Sequence, residues 1–279
     1  MEEIYLFELP FYQIDAFTDH VFKGNPAAVI PLETWLPDVV LKAIAVENNL
    51  SETAFFVAQG DAFSLRWFTV LEEIDLCGHA TLASAFVIFN HLGFTGDTIR
   101  FVTVKAGDLM VNRNRASNEL TLDFPERDPE PLTSYPSELI AAIGGVLPQE
   151  VLIARDYVVV LENEEAVRSL VPNYEIMSTL SRAGKLMRVS VTARGTDVDF
   201  VSRFFCAGDA MPEDPVTGSA HCHLVPYWAK RLHKSELRAE QLSPRGGALR
   251  CRLANGRVYM TGKAVTYLVG KIFIPSSAE

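Results

Sequence analysis

The sequence predicts an α+β protein of two similar lobes, each a central helix wrapped by strands. Three observations predict it. Short runs rich in aromatic and β-branched residues alternate with helical patterns along the 279 residues. The segment His79 to His91 is apolar around its whole circumference, as a helix enclosed by other elements must be. Two glycine-led helix starts resemble each other, Asp75-Leu76-Cys77-Gly78-His79-Ala80 and Asp214-Pro215-Val216-Thr217-Gly218-Ser219-Ala220-His221, and their glycines lie about half the chain apart.

In order, strand-like runs occupy Phe11 to Thr18, Ala27 to Pro31, Thr53 to Ala58 and Phe63 to Val70. Trp35 to Asn49 has helical spacing, with Leu36, Val39, Val40, Ala43 and Ile44 on one stripe and Pro37 in the first turn, where its missing N–H is harmless. After the helix at His79 to His91, Gly93 is a stop signal, and hairpin-like runs follow at Thr98 to Val104, Asp108 to Arg113 and Glu119 to Phe124. Four prolines make Pro125 to Pro136 a linker.

The programme then repeats. A helix near Ser137 to Gly144, strands within Val151 to Leu161, a helical stretch from Glu164 to Leu170 and strands at Leu186 to Thr192 and Asp199 to Cys206 precede a helix from Gly218 to Leu232. Strands at Leu249 to Leu253, Val258 to Thr261 and Lys263 to Phe273 finish the chain. The expected division is an N-terminal lobe, 1–124, completed by a C-terminal strand at about 264–279, and a C-terminal lobe, 125–263.

A net charge of −10 argues against nucleic acid, which is bound through clustered Lys and Arg. It leaves room for a small anion held by a few local donors. No basic n-region with an apolar stretch opens the sequence, and no apolar run is long enough to span a membrane. Cys77, Cys206, Cys222 and Cys251 are widely spaced, as in a cytoplasmic chain with reduced thiols.

Glu47 continues the stripe of its helix, three residues after Ile44 and four after Ala43. One reading is a solvated helix end. The other is a desolvated acid of raised pKa, suited to moving protons; Glu52 is its neighbouring rival. The two glycine-led starts also have two readings. Asp75, Asp214 or Ser219 can cap the first-turn N–H groups, or those N–H groups, with Ser219 and His79, can hold a substrate carboxylate. His221 and His223 project about 200° apart on a helix and cannot share one ion. No metal site is expected, and no nucleotide-binding or nucleophilic-serine motif occurs. Cys77, at a helix start, is either a low-pKa thiol or a small core filler.

Five stretches together resemble a known family: Asp15-Ala16-Phe17-Thr18, Gly24-Asn25-Pro26-Ala27-Ala28-Val29, Glu47-Asn48-Asn49-Leu50-Ser51-Glu52-Thr53, Asp75 to Thr81 and Glu213 to His221. On them the chain is similar to the phenazine-biosynthesis PhzF-like isomerase family, within the wider diaminopimelate-epimerase-like fold. The resemblance implies two pseudo-symmetric lobes, each a mostly antiparallel barrel-like sheet around a central helix, with the site between them. It implies a cofactor-independent isomerase of a small carboxylate-bearing substrate, working as a homodimer, with Glu47, His79 and Asp214 catalytic. Gly78, Gly218 and Ser219 would bind substrate, with no cofactor and no metal.

Related epimerases use two cysteines; Cys77 matches one place and Thr217 stands at the other, which disfavours a two-cysteine racemase. A Cys77-dependent racemase and a catalytically silent anion-binding protein are the rival readings. Phe68-Thr69-Val70-Leu71-Glu72-Glu73 lacks the family's proline after Phe-Thr, so an altered loop is expected there.

Overall fold

The computed structural model describes residues 6–184, 188–206 and 211–275. In chain order they form β1 (Leu6–Ala16), β2 (Asn25–Leu32), α1 (Asp38–Asn48), β3 (Glu52–Gln59), β4 (Ala62–Phe68) and the short β5 (Glu73–Ile74). Then come α2 (Gly78–Asn90), β6 (Thr98–Thr103), β7 (Gly107–Asn114), β8 (Glu119–Pro125), β9 (Glu130–Pro131), α3 (Glu138–Ala142), β10 (Glu150–Ile153) and β11 (Tyr157–Val160). Next are α4 (Glu164–Arg168), α5 (Tyr174–Arg182), β12 (Arg188–Arg194), β13 (Phe200–Cys206) and β14 (Glu213–Asp214). Last come α6 (Gly218–Leu232), β15 (Glu236–Gln241), β16 (Gly247–Ala254), β17 (Arg257–Gly262) and β18 (Ala264–Pro275). Contacts divide the chain into one unit up to Leu122 plus the segment from Lys263, and a second from Asp123 to Gly262.

In the first unit β1 pairs antiparallel with β18 and with β2. Strand β2 runs parallel to β3, β3 antiparallel to β4, β4 antiparallel to β5 and parallel to β6, and β6 antiparallel to β7. The parallel steps need crossovers, which α1 and α2 supply. In the second unit β10–β11 is antiparallel, β11–β12 parallel, β12–β13 and β13–β14 antiparallel, β13–β15 parallel and β15–β16 antiparallel. Both units thus mix α and β, with few helices on mostly antiparallel sheet. No helix among the described residues is long and apolar enough to cross a membrane.

Helix α2 is buried at nearly every position from Gly78 to Phe89. Two of its polar members bond to their own backbone, Thr81 donating to the Cys77 carbonyl at 2.5 Å and Ser84 to that of Ala80 at 2.7 Å. Helix α6 carries Pro226 within it. Proline has no N–H to give to the carbonyl four residues earlier, and that carbonyl, of Cys222, instead accepts the Arg127 N–H at 2.9 Å. The proline-rich connection after β8 is therefore pinned to α6, and part of it, β9, joins β10.

Some expectations fail. Helix α1 begins at Asp38, with Pro37 outside it in extended conformation. Its buried residues are Leu41, Ile44 and Ala45; Val39 is 64% exposed and Ala43 is also exposed, so the proposed stripe was rotated. Helix α5 and strand β15 were not anticipated. The expected strand at Leu186 starts at Arg188, and residues 186 and 187 lie outside the described residues.

The α6 core has a consequence for acid stability. His221 donates to the Thr217 carbonyl at 2.8 Å, and His223 meets the Ser190 hydroxyl at 3.0 Å; the second ring nitrogen of each is buried with no partner among the described residues. Burial pushes their pKa values down, to about 4 for His221 and about 3 for His223. Unfolded, both would titrate near 6.5. Their neutral forms therefore support the fold fully above about pH 6.5, and that support is lost as pH falls towards 4, at up to roughly 3 kcal/mol per pH unit for two protons. Urea titrations across this range should show the slope, and His223→Gln should remove about half of it; an unchanged slope would contradict the assignment.

Candidate active site

In the first unit the site grows from the start of α2. The Asp15 carboxylate, at the end of β1, accepts the Phe22 N–H at 2.9 Å, tying down the loop that leads into β2. Gly24 in that loop has φ +64, and a Cβ there would lie 2.2 Å from the Ala16 carbonyl oxygen, so only glycine fits. The loop delivers Asn25, fully buried, whose side-chain nitrogen lies 3.0 Å from His79 Nδ1. Donation from Asn25 leaves the ring proton on His79 Nε2, facing Glu52 Oε2 at 3.1 Å, close but off the line of a hydrogen bond.

Burial works against a charged His79, but Cys77 and Glu52 beside it outweigh burial and hold its pKa well above the ordinary imidazole range. Charging the ring requires Asn25 to turn its amide oxygen to Nδ1. Burial, reinforced by Glu52, drives the Cys77 thiol up to about 11, so it is not the low-pKa nucleophile of the rival reading. Glu52 is then the partner that supplies a carboxylate. Glu52→Gln should lower the His79 pKa, observable by NMR titration of its ring; an unmoved titration would remove Glu52 as the cause.

In the second unit the counterpart is the start of α6. Thr217 donates to the Asp214 carboxylate at 2.5 Å, while Gln241, buried on β15, accepts the Thr217 N–H at 2.8 Å and donates to the Asp214 carbonyl at 2.7 Å. Asp214 and Ser219 are half-buried and Gly218 is buried. The Ser219 hydroxyl oxygen accepts from Arg155 at 3.0 Å. Thr217 is the N-cap of α6 as Cys77 is of α2, and neither helix has a side-chain cap hydrogen bond. Neither Cys77 nor Thr217 caps its helix through its own side chain, and Asp75 is exposed.

Each helix start hangs from an arginine. On β4, Arg66 grips Glu73 of β5 through two hydrogen bonds, at 2.8 and 2.7 Å. On β13, Arg203 grips Glu213 of β14 likewise, at 2.7 and 2.8 Å. Each glutamate stands five residues before the helix glycine, and each guanidinium lies 5.0 Å from the ring of the phenylalanine two residues on, Phe68 or Phe205. Between β4 and β5, where the proline is missing, Thr69 closes a tight turn, accepting the Leu71 and Glu72 N–H groups at 3.1 and 3.0 Å.

Glu47 corrects the sequence reading most sharply. It lies near the end of α1 and is exposed, as is Ala43. The helix closes at Asn49 in the left-handed conformation, so the last turn swings off the core face. The solvated helix end describes it; the sheltered carboxylate does not. Glu52, Cys77 and His79 form a compact group of ligand-type atoms. Yet Glu52 faces Nε2 of the imidazole while Cys77 faces Nδ1 at 3.5 Å, so one ion could not take all three. Arg155, Asp156 and Gln241 were missed as site residues.

Comparisons with known proteins give the family. A family model described as "Phenazine biosynthesis-like protein" matches residues 14–270. Two uncharacterized isomerases of Pseudomonas aeruginosa are 46% and 48% identical, over 96% and 95% of this chain and 100% and 98% of their own length. A crystal structure of a phenazine biosynthesis PhzF-family protein from Enterococcus faecalis matches with a TM-score of 0.89 at 45% identity, covering 96% of this chain and 100% of that one. The protein is an enzyme, an isomerase. It belongs to the phenazine biosynthesis-like protein family.

Proposed function

We propose that this isomerase moves a proton within a small carboxylate-bearing metabolite, without a cofactor, using Glu47 as acid and base. The observation that carries the proposal is that α2 and α6 both begin at a glycine without a side-chain cap. Their first-turn N–H groups, after Gly78 and Gly218, suit a substrate carboxylate and the negative charge that develops when a neighbouring carbon loses a proton. His79 and Asp214 position or polarise the substrate, and Ser219 adds a hydroxyl donor. Glu47 removes the proton and returns it elsewhere. Since Glu47 is exposed, substrate must strip water from it on binding.

That exposure favours a second reading, in which the half-buried Glu52 and the buried His79, 3.1 Å apart, transfer the proton themselves. Incorporation of solvent deuterium into candidate carboxylates tests both. Loss in Glu47→Gln with retention in Glu52→Gln supports the first, the reverse pattern supports the second, and no exchange by the native enzyme leaves an anion-binding protein.

We read the two units as copies of one plan, supported by their shared succession of strand pairings. A cytoplasmic homodimer is the expected working form, an inference from the family and the cysteine spacing that sedimentation can test.

A further inference from the structure

Arg155 and Asp156 occupy the turn between β10 and β11. The Asp156 carboxylate, 5% exposed, accepts from Arg155 Nε at 3.0 Å and from Nη2 at 2.7 Å, which fixes the guanidinium plane. Nη2 also donates to the Ser219 hydroxyl oxygen at 3.0 Å. Nη1 has no acceptor among the described residues, although three-quarters of the side chain is buried, 25% being exposed. The Ser219 oxygen, engaged by Arg155, is left with its own O–H to donate.

A second guanidinium lies nearby. Arg127 is half-buried, its N–H is held by the Cys222 carbonyl one turn into α6, and its side chain has no acceptor among the described residues. Burial pushes the Cys222 thiol up to about 12, while Arg127, Arg155 and Arg257 pull against it. Arg257 is committed to Asp123 at 2.7 Å and Arg155 to Asp156, which leaves Arg127 uncompensated. An unpaired, partly desolvated guanidinium is costly unless an anion completes it.

We infer that Arg155 is a further substrate-binding residue of the α6 site, its open Nη1 edge taking a carboxylate oxygen beside Ser219. The inference rests on the proposed function and narrows the substrate class. The group that docks at α6 is a full anion read by a charged fork, so its neutral amide is discriminated against. Lysine cannot reproduce a planar fork, but it restores the charge.

Binding of benzoate and of benzamide, followed by calorimetry on the whole protein, tests this without a known substrate. The native protein should prefer benzoate. In Arg155→Gln, benzoate affinity should fall roughly tenfold or more while benzamide affinity stays level, and Arg155→Lys should restore part of the loss. Arg127→Gln should weaken benzoate selectively and to a smaller extent. Equal losses for both probes would mean that Arg155 only braces the turn and would overturn the inference. So would an unchanged preference, or no saturable benzoate binding by the native protein. Deuterium exchange is a separate readout: exchange that persists without an anion preference sinks Arg155 and keeps the isomerase reading, and the converse result does the opposite.

Discussion

Glu47→Gln is expected to leave the fold and ligand affinity intact while slowing deuterium exchange into the substrate by about 10²- to 10⁴-fold, the usual contribution of a positioned acid or base. Glutamine keeps the shape of the side chain and one hydrogen-bonding oxygen but cannot take a proton. Because Glu47 is exposed at the end of α1, the substitution removes no packing, and any rate loss reports chemistry. Circular dichroism and an unchanged melting temperature serve as controls. Undiminished exchange would transfer the role to Glu52 and His79, whose contact is already formed.

Breaking the arginine grip on β14 should be the largest stability effect. Arg203, 8% exposed, holds Glu213 through two hydrogen bonds and donates to the Leu170 carbonyl at 2.6 Å. Arg203→Met would strand the Glu213 carboxylate and the carbonyl together, at about 3–5 kcal/mol. For a chain of this size that lowers the melting temperature by roughly 10 °C. The double change Arg203→Met with Glu213→Leu should recover a good part of the loss, because no charge is then left buried. If the double variant is as unstable as the single, the damage lies in packing and not in the stranded charge.

What the sequence made legible follows from how much chain each signal draws on. Helices α2 and α6 were readable because each starts at a glycine in a similar motif and runs on for many residues, α2 being apolar on every side. Helix α5 was not, since only Met177 and Leu180 are buried on it. Strand β15 hides its alternation behind Gln241, a buried polar residue among Glu and Arg. The burial of Glu47 was misjudged at a helix end, where one turn of drift separates core from solvent. Within the site, residues on the helix starts were visible through their motifs. Contacts that depend on chain crossing were not: nothing local to Arg155 announces Ser219, 64 positions on.

The paired arginine struts have an evolutionary consequence. Each helix start has its own anchor, built from one strand and one short ribbon, so a change at one of them need not disturb the other. Lineages could alter one helix start, one substitution at a time, while the arginine anchor of the other stayed intact. Such divisible tuning is a route by which one scaffold acquires many specificities.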